Sequence, residues 1–207
     1  MKSRRIWAIG GFGAGGLLVL FGIAALVLGI SSYQLVQDEL AREKIVGSDD
    51  MTPDAIAQEA KDAGLPADTE LPDCSVAGEE IDTGGEARCF ASYMRIHALE
   101  ATGGLTYAEM GRYQSAADPS DPKGTNDPNA AAQDANGQPV SNGQRDTWVT
   151  ETALATALNV SYMAEQTALF GIVVGVALLL TGIGLIVLAY AVFIRPREAP
   201  TAAAEPA

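Results

Sequence analysis

Residues 168–194 have the sequence "ALFGIVVGVALLLTGIGLIVLAYAVFI" and contain no charged side chain. A helix needs about 20 apolar residues to cross the ~30 Å hydrocarbon core of a bilayer. This stretch is longer than that, and water offers no stable environment for so long an uncharged apolar helix. The sequence therefore predicts a transmembrane helix over 168–194.

A second uncharged apolar stretch lies near the N-terminus, "IWAIGGFGAGGLLVLFGIAALVLGI" at 6–30. It follows the basic segment 1–5, which would also suit the start of a cleaved signal peptide. The apolar part of a signal peptide spans only about 7–15 residues, and no clear small-residue cleavage site follows this longer stretch. We therefore predict a second transmembrane helix over 6–30, with a cleaved signal peptide as the alternative.

Basic residues flank both apolar stretches and predict the orientation. Segment 1–5 contains Lys2, Arg4 and Arg5, and the tail 195–207 contains two arginines. Positive charge is enriched on the cytoplasmic side of membrane spans. Both termini are therefore predicted to be cytoplasmic, with the chain crossing the inner (plasma) membrane twice.

The segment 31–167 is then predicted to lie outside the cytoplasm, and it is strongly acidic. It holds 24 of the 26 acidic residues and 8 of the 13 basic residues. Such an excess of negative charge repels phosphate backbones, which excludes nucleic acid as a partner. The predicted partners are the lipid bilayer and other membrane proteins, or a second copy of this chain.

The two cysteines, Cys74 and Cys89, both fall in 31–167. An even number of cysteines in an oxidising compartment predicts a disulfide. Closing a loop of about 15 residues is worth about 3 kcal/mol in the chain-entropy model. Free thiols in a reducing compartment are the alternative, and a zinc site with His97 does not match the usual ligand spacing.

Helical signals continue beyond the apolar stretches. The first helix is predicted to run to about Glu43, since no glycine or proline interrupts 31–43. A short helix is predicted after Thr52, which suits an N-cap, with Pro53 at its first position and Gly64 as its stop. A third helix is predicted from about Ala87 to residue 101.

The segment 114–144 is rich in proline, glycine, asparagine and aspartate and has one large aliphatic residue, Val140. It cannot bury enough apolar surface to offset ordering, so we predict a flexible insert. Asp146 or Thr147 is predicted to cap a last helix that continues into 168–194. The predicted fold is an all-α membrane protein: two transmembrane helices extended outside the membrane, with a small helical, disulfide-tied extracytoplasmic domain at 31–167.

Glycines recur at four-residue spacing in both apolar stretches. Gly11 and Gly15 lie in the first, and Gly171 and Gly175 lie in the second. Small residues at this spacing let helices approach closely in lipid. They predict helix packing, either between the two spans of one chain, which we favour, or between chains.

His97 is the only histidine, and its unperturbed pKa is the one closest to neutrality. It could serve as a pH sensor, a ligand or a base, but a partly buried residue bonded to Glu100 or Glu109 is the preferred interpretation. Asp49 and Asp50 could bind a hard cation, although no EF-hand spacing supports this. A solvated turn is preferred there.

The residues around His97, "HALEATGGLTYAEM" (97–110), combine several local signals. The glycine pair predicts the end of a helix, and Thr-x-x-Glu at 106–109 predicts a capping box that opens a short new helix. We predict that the stretch covers the outer ends of the two long helices and is a possible interaction motif. The motif consists of His97, Thr102, Gly103, Gly104, Thr106, Tyr107 and Glu109.

The stretches "IVGSDD" (45–50), "IHALEATGGLTYAEM" (96–110) and "NVSYMAEQTALFGIVVGVA" (159–177) together resemble a family of two-span membrane proteins from actinobacteria, which has no established function. Family members share the pattern I-x-x-H-A-L-x-x-T-G-G-x-T-Y-A-E-L. This chain departs from it at Met110 and in the long insert 114–144. Members are often labelled "aromatic ring-opening dioxygenase", but a non-haem iron facial triad needs two histidines. The resemblance therefore implies the architecture and not that activity.

No catalytic pattern accompanies these features. His97 has no nucleophile motif such as G-x-S-x-G, and the glycine-rich "GGFGAGG" at 10–16 lacks the lysine and strand of a phosphate-binding loop. We predict no catalytic residue, cofactor or metal, and a protein that is not an enzyme. The leading hypothesis is a structural or accessory role in the cell envelope; the alternative is an extracytoplasmic module that binds or senses a small ligand or cation.

Overall fold

The computed structural model describes residues 2–194, and the predicted cytoplasmic tail 195–207 lies outside this range. Within it the chain is helical, with only isolated β-bridges and no β-strand. This confirms the predicted all-α class. The helices are α1 (Lys2–Glu43), α2 (Pro53–Asp62), α3 (Gly84–Ala101) and α4 (Gly143–Ala189), followed by a π-helical turn at Tyr190–Ile194.

The chain divides into two compact units. One, the helix pair, consists of the residues up to Ser32 and from Thr167 onward; the other, the α2–α3 domain, is Tyr33–Gln166. Both α1 and α4 contribute residues to each unit. Two helices, Arg5–Glu43 and Gly143–Phe193, are long and apolar enough to cross a membrane.

Glycines line the contact between the two helices of the helix pair. A Cβ on Gly15 would lie 2.7 Å from the carbonyl oxygen of Gly182, and one on Gly175 would lie 2.8 Å from Leu26 Cγ. Gly11 faces Ala189 equally closely, whereas Gly171 has only ordinary contacts. The predicted packing glycines therefore lie between two helices of the same chain, the arrangement that the sequence favoured. Further glycines make equally close approaches: Gly22, Gly29 and Gly182.

The short helix α2 begins and ends where its capping and stop residues predict. Thr52 is the N-cap and its hydroxyl accepts from the N–H of Ala55, Pro53 occupies the first position, and Gly64 follows with a φ of 67°. α2 presents Ile56, which is fully buried, to the core of the α2–α3 domain. The burial of this face places Glu59 at the contact of α2 with α3.

The helix α3 begins earlier than predicted, at Gly84 rather than near Ala87. Thr83 and Glu86 form a capping box in which each side chain bonds to the other residue's backbone. This box satisfies the free N–H groups of the first turn, and it outweighs the low helix propensity of two consecutive glycines. The N–H of Gly84 also donates to Glu165 Oε2 on α4 at 2.8 Å.

The predicted disulfide is present and joins Cys74 to Cys89, with their Cα atoms 6.1 Å apart. It ties the irregular segment after α2 to the first half of α3. The hydroxyl of Tyr93, one turn further along α3, donates to the carbonyl oxygen of Cys74 at 2.6 Å. Val76 and Ile81, on either side of the resulting turn, are almost completely buried.

The segment 114–144 has a defined backbone, which differs from the predicted flexible insert. Tyr113 pairs with Thr125 and with Ser141, and the buried side chain of Asn142 donates to the carbonyl oxygens of Gly111 and Pro122. Local side-chain-to-backbone bonds, rather than an apolar core, order the segment. Four aspartates accept the N–H two residues later: Asp118, Asp121, Asp127 and Asp134.

The helix α4 begins at Gly143, before the predicted caps at Asp146 or Thr147. The side chain of Asn142 accepts from the N–H of Gln144 at 3.1 Å, which is the geometry of an N-cap. A single asparagine therefore closes the 114–144 segment and starts the last helix.

Candidate functional site

The first half of the 97–110 motif ends α3. Thr102 is fully buried, and its hydroxyl donates to the carbonyl oxygen of Leu105 at 2.7 Å. Gly103 and Gly104 have φ angles of 62° and 79°, in the left-handed region that glycine adopts without strain. The N–H of Gly104 donates to the carbonyl oxygen of Leu99 at 2.7 Å and closes the helix. These residues act structurally, as the predicted helix stop.

The second half of the motif forms a turn, and the predicted short helix after Thr106 is wrong. Glu109 Oε2 accepts from both the N–H and the hydroxyl of Thr106, each at 2.8 Å. These bonds hold the pKa of the Glu109 carboxyl below its usual value. The chain leaves the turn because the N–H of Gly111 pairs with the carbonyl oxygen of Lys123 in the next segment.

The motif contacts the N-terminal part of α4 at Tyr107 and at Ala98. The Arg145 guanidinium lies 3.9 Å from the centroid of the Tyr107 ring. The Arg95 guanidinium lies 5.1 Å from the ring of Trp148, which packs in a small cluster with Ala98. Most of the predicted interaction motif is therefore engaged within its own chain.

His97 also faces residues of its own chain, because its Nε2 approaches two carboxylates. It lies 3.5 Å from Asp50 Oδ2 and 3.5 Å from Glu59 Oε1. Neither partner is one that the sequence predicted: the Glu109 carboxylate binds Thr106, and Glu100 interacts with Glu59.

Three segments of the α2–α3 domain bring these side chains together. Asp50 lies in the turn before α2, where its carbonyl oxygen accepts from the N–H of Thr52. Glu59 lies on α2, three residues after the buried Ile56, and His97 follows the buried Ile96 on α3. The buried neighbours on each helix hold the polar residues in place at the contact of α2 with α3.

The cluster is electrostatically strained around Glu59. Burial, followed by the hydrogen bond and charge of Glu100 and by the charge of Asp50, raises the pKa of Glu59 to about 7. A hydrogen bond from Ser48 and the charge of His97 lower the pKa of Asp50 despite some burial. Of the two carboxylates that face His97, Glu59 is therefore the one that ionises with difficulty.

The raised pKa of Glu59 predicts a pH-dependent stability. Between about pH 4.5 and 7 the unfolded chain releases this proton while the folded chain keeps it, so this group's contribution to stability falls as pH rises through that window. Glu59→Gln cannot ionise. We expect it to raise the free energy of unfolding of metal-free protein at pH 8 by about 1–2 kcal/mol, allowing for partial exposure, and to change little at pH 4.

The measurement is urea unfolding of detergent-solubilised protein, in the presence of a chelator, at both pH values. Glu79→Gln is the matched control, because Glu79 is exposed and lies outside the cluster. A gain at pH 8 that is equal for both variants would show that Glu59 is not strained.

Two clefts lie in the α2–α3 domain, and one of them adjoins His97. His97 and Met94 line an apolar cleft of about 440 Å³ together with the α4 residues Thr147, Glu151 and Leu154. His97 thus borders α4, in line with the predicted position of the motif against the long helices. A larger and more polar cleft, of about 820 Å³, lies beside the disulfide.

No family model, curated protein or solved structure matches the chain. The family resemblance stays a prediction, and the geometry of the site must carry the functional argument.

Sequence reasoning missed the grouping of Asp50, Glu59 and His97. The sequence offers Asp50 and His97 as separate candidates, and no local pattern singles out Glu59. The one available signal is the four-residue spacing of Ile56 and Ala60, which places Glu59 beside an apolar helix face. Nothing in the sequence indicates which helix that face would meet.

Proposed function

We propose that this chain is a two-span membrane protein with a non-enzymatic, structural or accessory role in the cell envelope, acting through association with other membrane proteins. Both termini are cytoplasmic in this proposal, and the α2–α3 domain lies outside the plasma membrane. The proposal includes membership of the two-span actinobacterial family that the 96–110 stretch resembles.

The observation that carries the proposal is the apolar surface of the helix pair. Its outward side chains remain largely exposed, as at Trp7 (68%), Phe170 (69%) and Leu180 (68%). Soluble monomers rarely expose contiguous apolar patches of more than a few hundred Å². Lipid is the environment that covers such a surface, because the helices satisfy their own backbone hydrogen bonds.

The close helix–helix contacts within one chain support an accessory role, because they leave other surfaces available. The packing glycines lie between helices of one chain, which leaves the α2–α3 domain and the lipid-facing sides of the helices for a partner. The histidine of the domain approaches carboxylates and no serine or cysteine nucleophile among the described residues. This arrangement suits binding better than nucleophilic catalysis.

Impermeant maleimide labelling tests the orientation. We expect a cysteine introduced at Asn136, in an exposed turn of the 114–144 segment, to be labelled in intact cells. Labelling that requires permeabilisation would contradict the proposed topology.

Co-purification in mild detergent tests the accessory role: a chain that runs as a monomer and retains no membrane protein would argue against it.

A second candidate function is the binding of a small ligand by the α2–α3 domain. The apolar cleft of about 440 Å³ beside His97 favours it, since small-molecule sites occupy about 300–1,000 Å³. Leu154→Trp would fill this cleft. If ligand binding is the function, this variant should fold normally but fail to restore function in a cell that lacks the protein.

A further inference from the structure

Three ligating atoms from three separate segments meet in the α2–α3 domain. Asp50 Oδ2, Glu59 Oε1 and His97 Nε2 all lie within 4.8 Å of one another. Two of these atoms belong to carboxylates and one to an imidazole, and both groups are common metal ligands. The grouping comes from the fold, since His97 lies 38 residues after Glu59 in the sequence.

Two of the three atoms are shielded from solvent and have no hydrogen bond. Glu59 Oε1 and His97 Nε2 have no hydrogen-bond partner among the described residues, although both atoms are buried. Their 3.5 Å separation exceeds the 2.7–2.9 Å typical of a charge-assisted hydrogen bond. Buried polar atoms are almost always satisfied in native proteins. A metal ion between them would satisfy both atoms at once.

We propose that Asp50, Glu59 and His97 form a binding site for a divalent transition-metal ion of the zinc class. Zinc bonds to nitrogen and oxygen at about 2.0–2.2 Å, so two tetrahedral ligands lie about 3.4 Å apart. Both approaches to His97 Nε2 measure 3.5 Å, which is close to this separation. The proposal goes beyond the accessory role and does not depend on it.

The imidazole of His97 argues against calcium or magnesium as the bound ion. Calcium takes six to eight oxygen ligands, and magnesium keeps most of its waters in an octahedron. Imidazole ligands suit zinc, copper, iron and nickel instead. The site thus differs in class from the hard-cation site that the Asp49–Asp50 pair alone would suggest.

Charge and access also suit a cation. Two carboxylates face one imidazole, so the site offers negative charge to a cation. The side chain of Asp50 is 48% exposed, whereas those of Glu59 and His97 are 20% and 27% exposed. The open side at Asp50 provides a route for the ion and for a water as a fourth ligand.

The test is zinc binding by the full chain in detergent. Protein is stripped with a chelator, dialysed against Zn²⁺, and analysed by calorimetry and by metal content. We expect about one Zn²⁺ per chain in the wild type and in Asp49→Asn. Loss of a residue that only hydrogen-bonds to a metal ligand costs about 10–100-fold in affinity. Asp50 and His97 are proposed as ligands themselves, so Asp50→Asn and His97→Gln should weaken binding by about 100-fold or more.

Asp49→Asn is the matched control, because it makes the same change one residue away from the cluster. Equal zinc binding by all three variants would overturn the proposal, as would absence of binding by the wild type. Displacement of Zn²⁺ by equimolar Ca²⁺ or Mg²⁺ would overturn the assigned metal class. Circular dichroism establishes folding; if His97→Gln unfolds, Asp50→Asn in its exposed turn decides the result alone.

Discussion

Gly15→Leu is expected to disrupt the contact between α1 and α4 within the helix pair. Even a Cβ at this position would lie 2.7 Å from the carbonyl oxygen of Gly182 and 2.7 Å from Ile186 Cγ1. The Ile186 side chain can rotate, but the Gly182 carbonyl belongs to the α4 backbone and cannot move without displacing the helix. Overpacking costs about 1–3 kcal/mol and occasionally more. We expect more than about 3 kcal/mol here, because leucine adds three further carbon atoms in the same direction.

The adjacent Gly16→Leu is the matched control, since a Cβ on Gly16 meets nothing within 4 Å. It makes the same chemical change in the same helix, and replacing glycine by leucine in a helix is slightly favourable in itself. SDS-induced unfolding of the detergent-solubilised chain measures both variants. Equal losses would contradict the packing in the structure. A loss confined to Gly16→Leu that depends on protein concentration would instead indicate packing between chains.

Features set by local chemistry could be predicted from the sequence. The cap at Thr52 and the stop at Gly64 each depend on one backbone position and its neighbours, and the structure confirms both. The helix stop at Gly103 followed the same logic. The long apolar stretches are equally local signals, because length and composition alone decide whether a helix could span a bilayer.

Features that depend on several weak or distant signals were missed. Composition predicted a flexible 114–144 segment, since it counts apolar residues and overlooks a network of aspartate turns closed by Asn142. The Thr106–Glu109 pair matched a capping box, but tertiary pairing of Gly111 ends the segment after one turn. The cluster of Asp50, Glu59 and His97 required the packing of α2 on α3, which no periodicity specifies.

The cluster of Asp50, Glu59 and His97 also shows why the sequence alone favoured a structural role for His97. A single histidine on a helix rarely indicates a site, and its two predicted partners lay nearby in the sequence. The structure places its partners 47 and 38 residues upstream, at Asp50 and Glu59. Two orphaned buried atoms are a property of the fold alone, and they are the observation that favours a ligand.

Removal of the disulfide by Cys74→Ala with Cys89→Ala is expected to lower the free energy of unfolding of the α2–α3 domain by about 3 kcal/mol. The bond closes a loop across a sequence separation of 15, and the chain-entropy model assigns about this value to such a loop. Cys89 is also buried, which argues for alanine rather than a polar replacement.

Tyr93→Phe separates the covalent tie from the hydrogen bond beside it. It removes the hydroxyl that donates to the Cys74 carbonyl oxygen and should cost only about 1 kcal/mol.

A reducing agent should lower the stability of the wild type and of Tyr93→Phe by the same amount in urea titrations, and leave the double cysteine variant unchanged. If reduction has no effect on the wild type, the disulfide does not stabilise the domain. If the double variant loses stability only while the reducing agent is present, the loss does not come from the bond. The expected dependence also links stability to compartment, because only an oxidising environment preserves the bond. A stable α2–α3 domain in cells would therefore support its placement outside the cytoplasm.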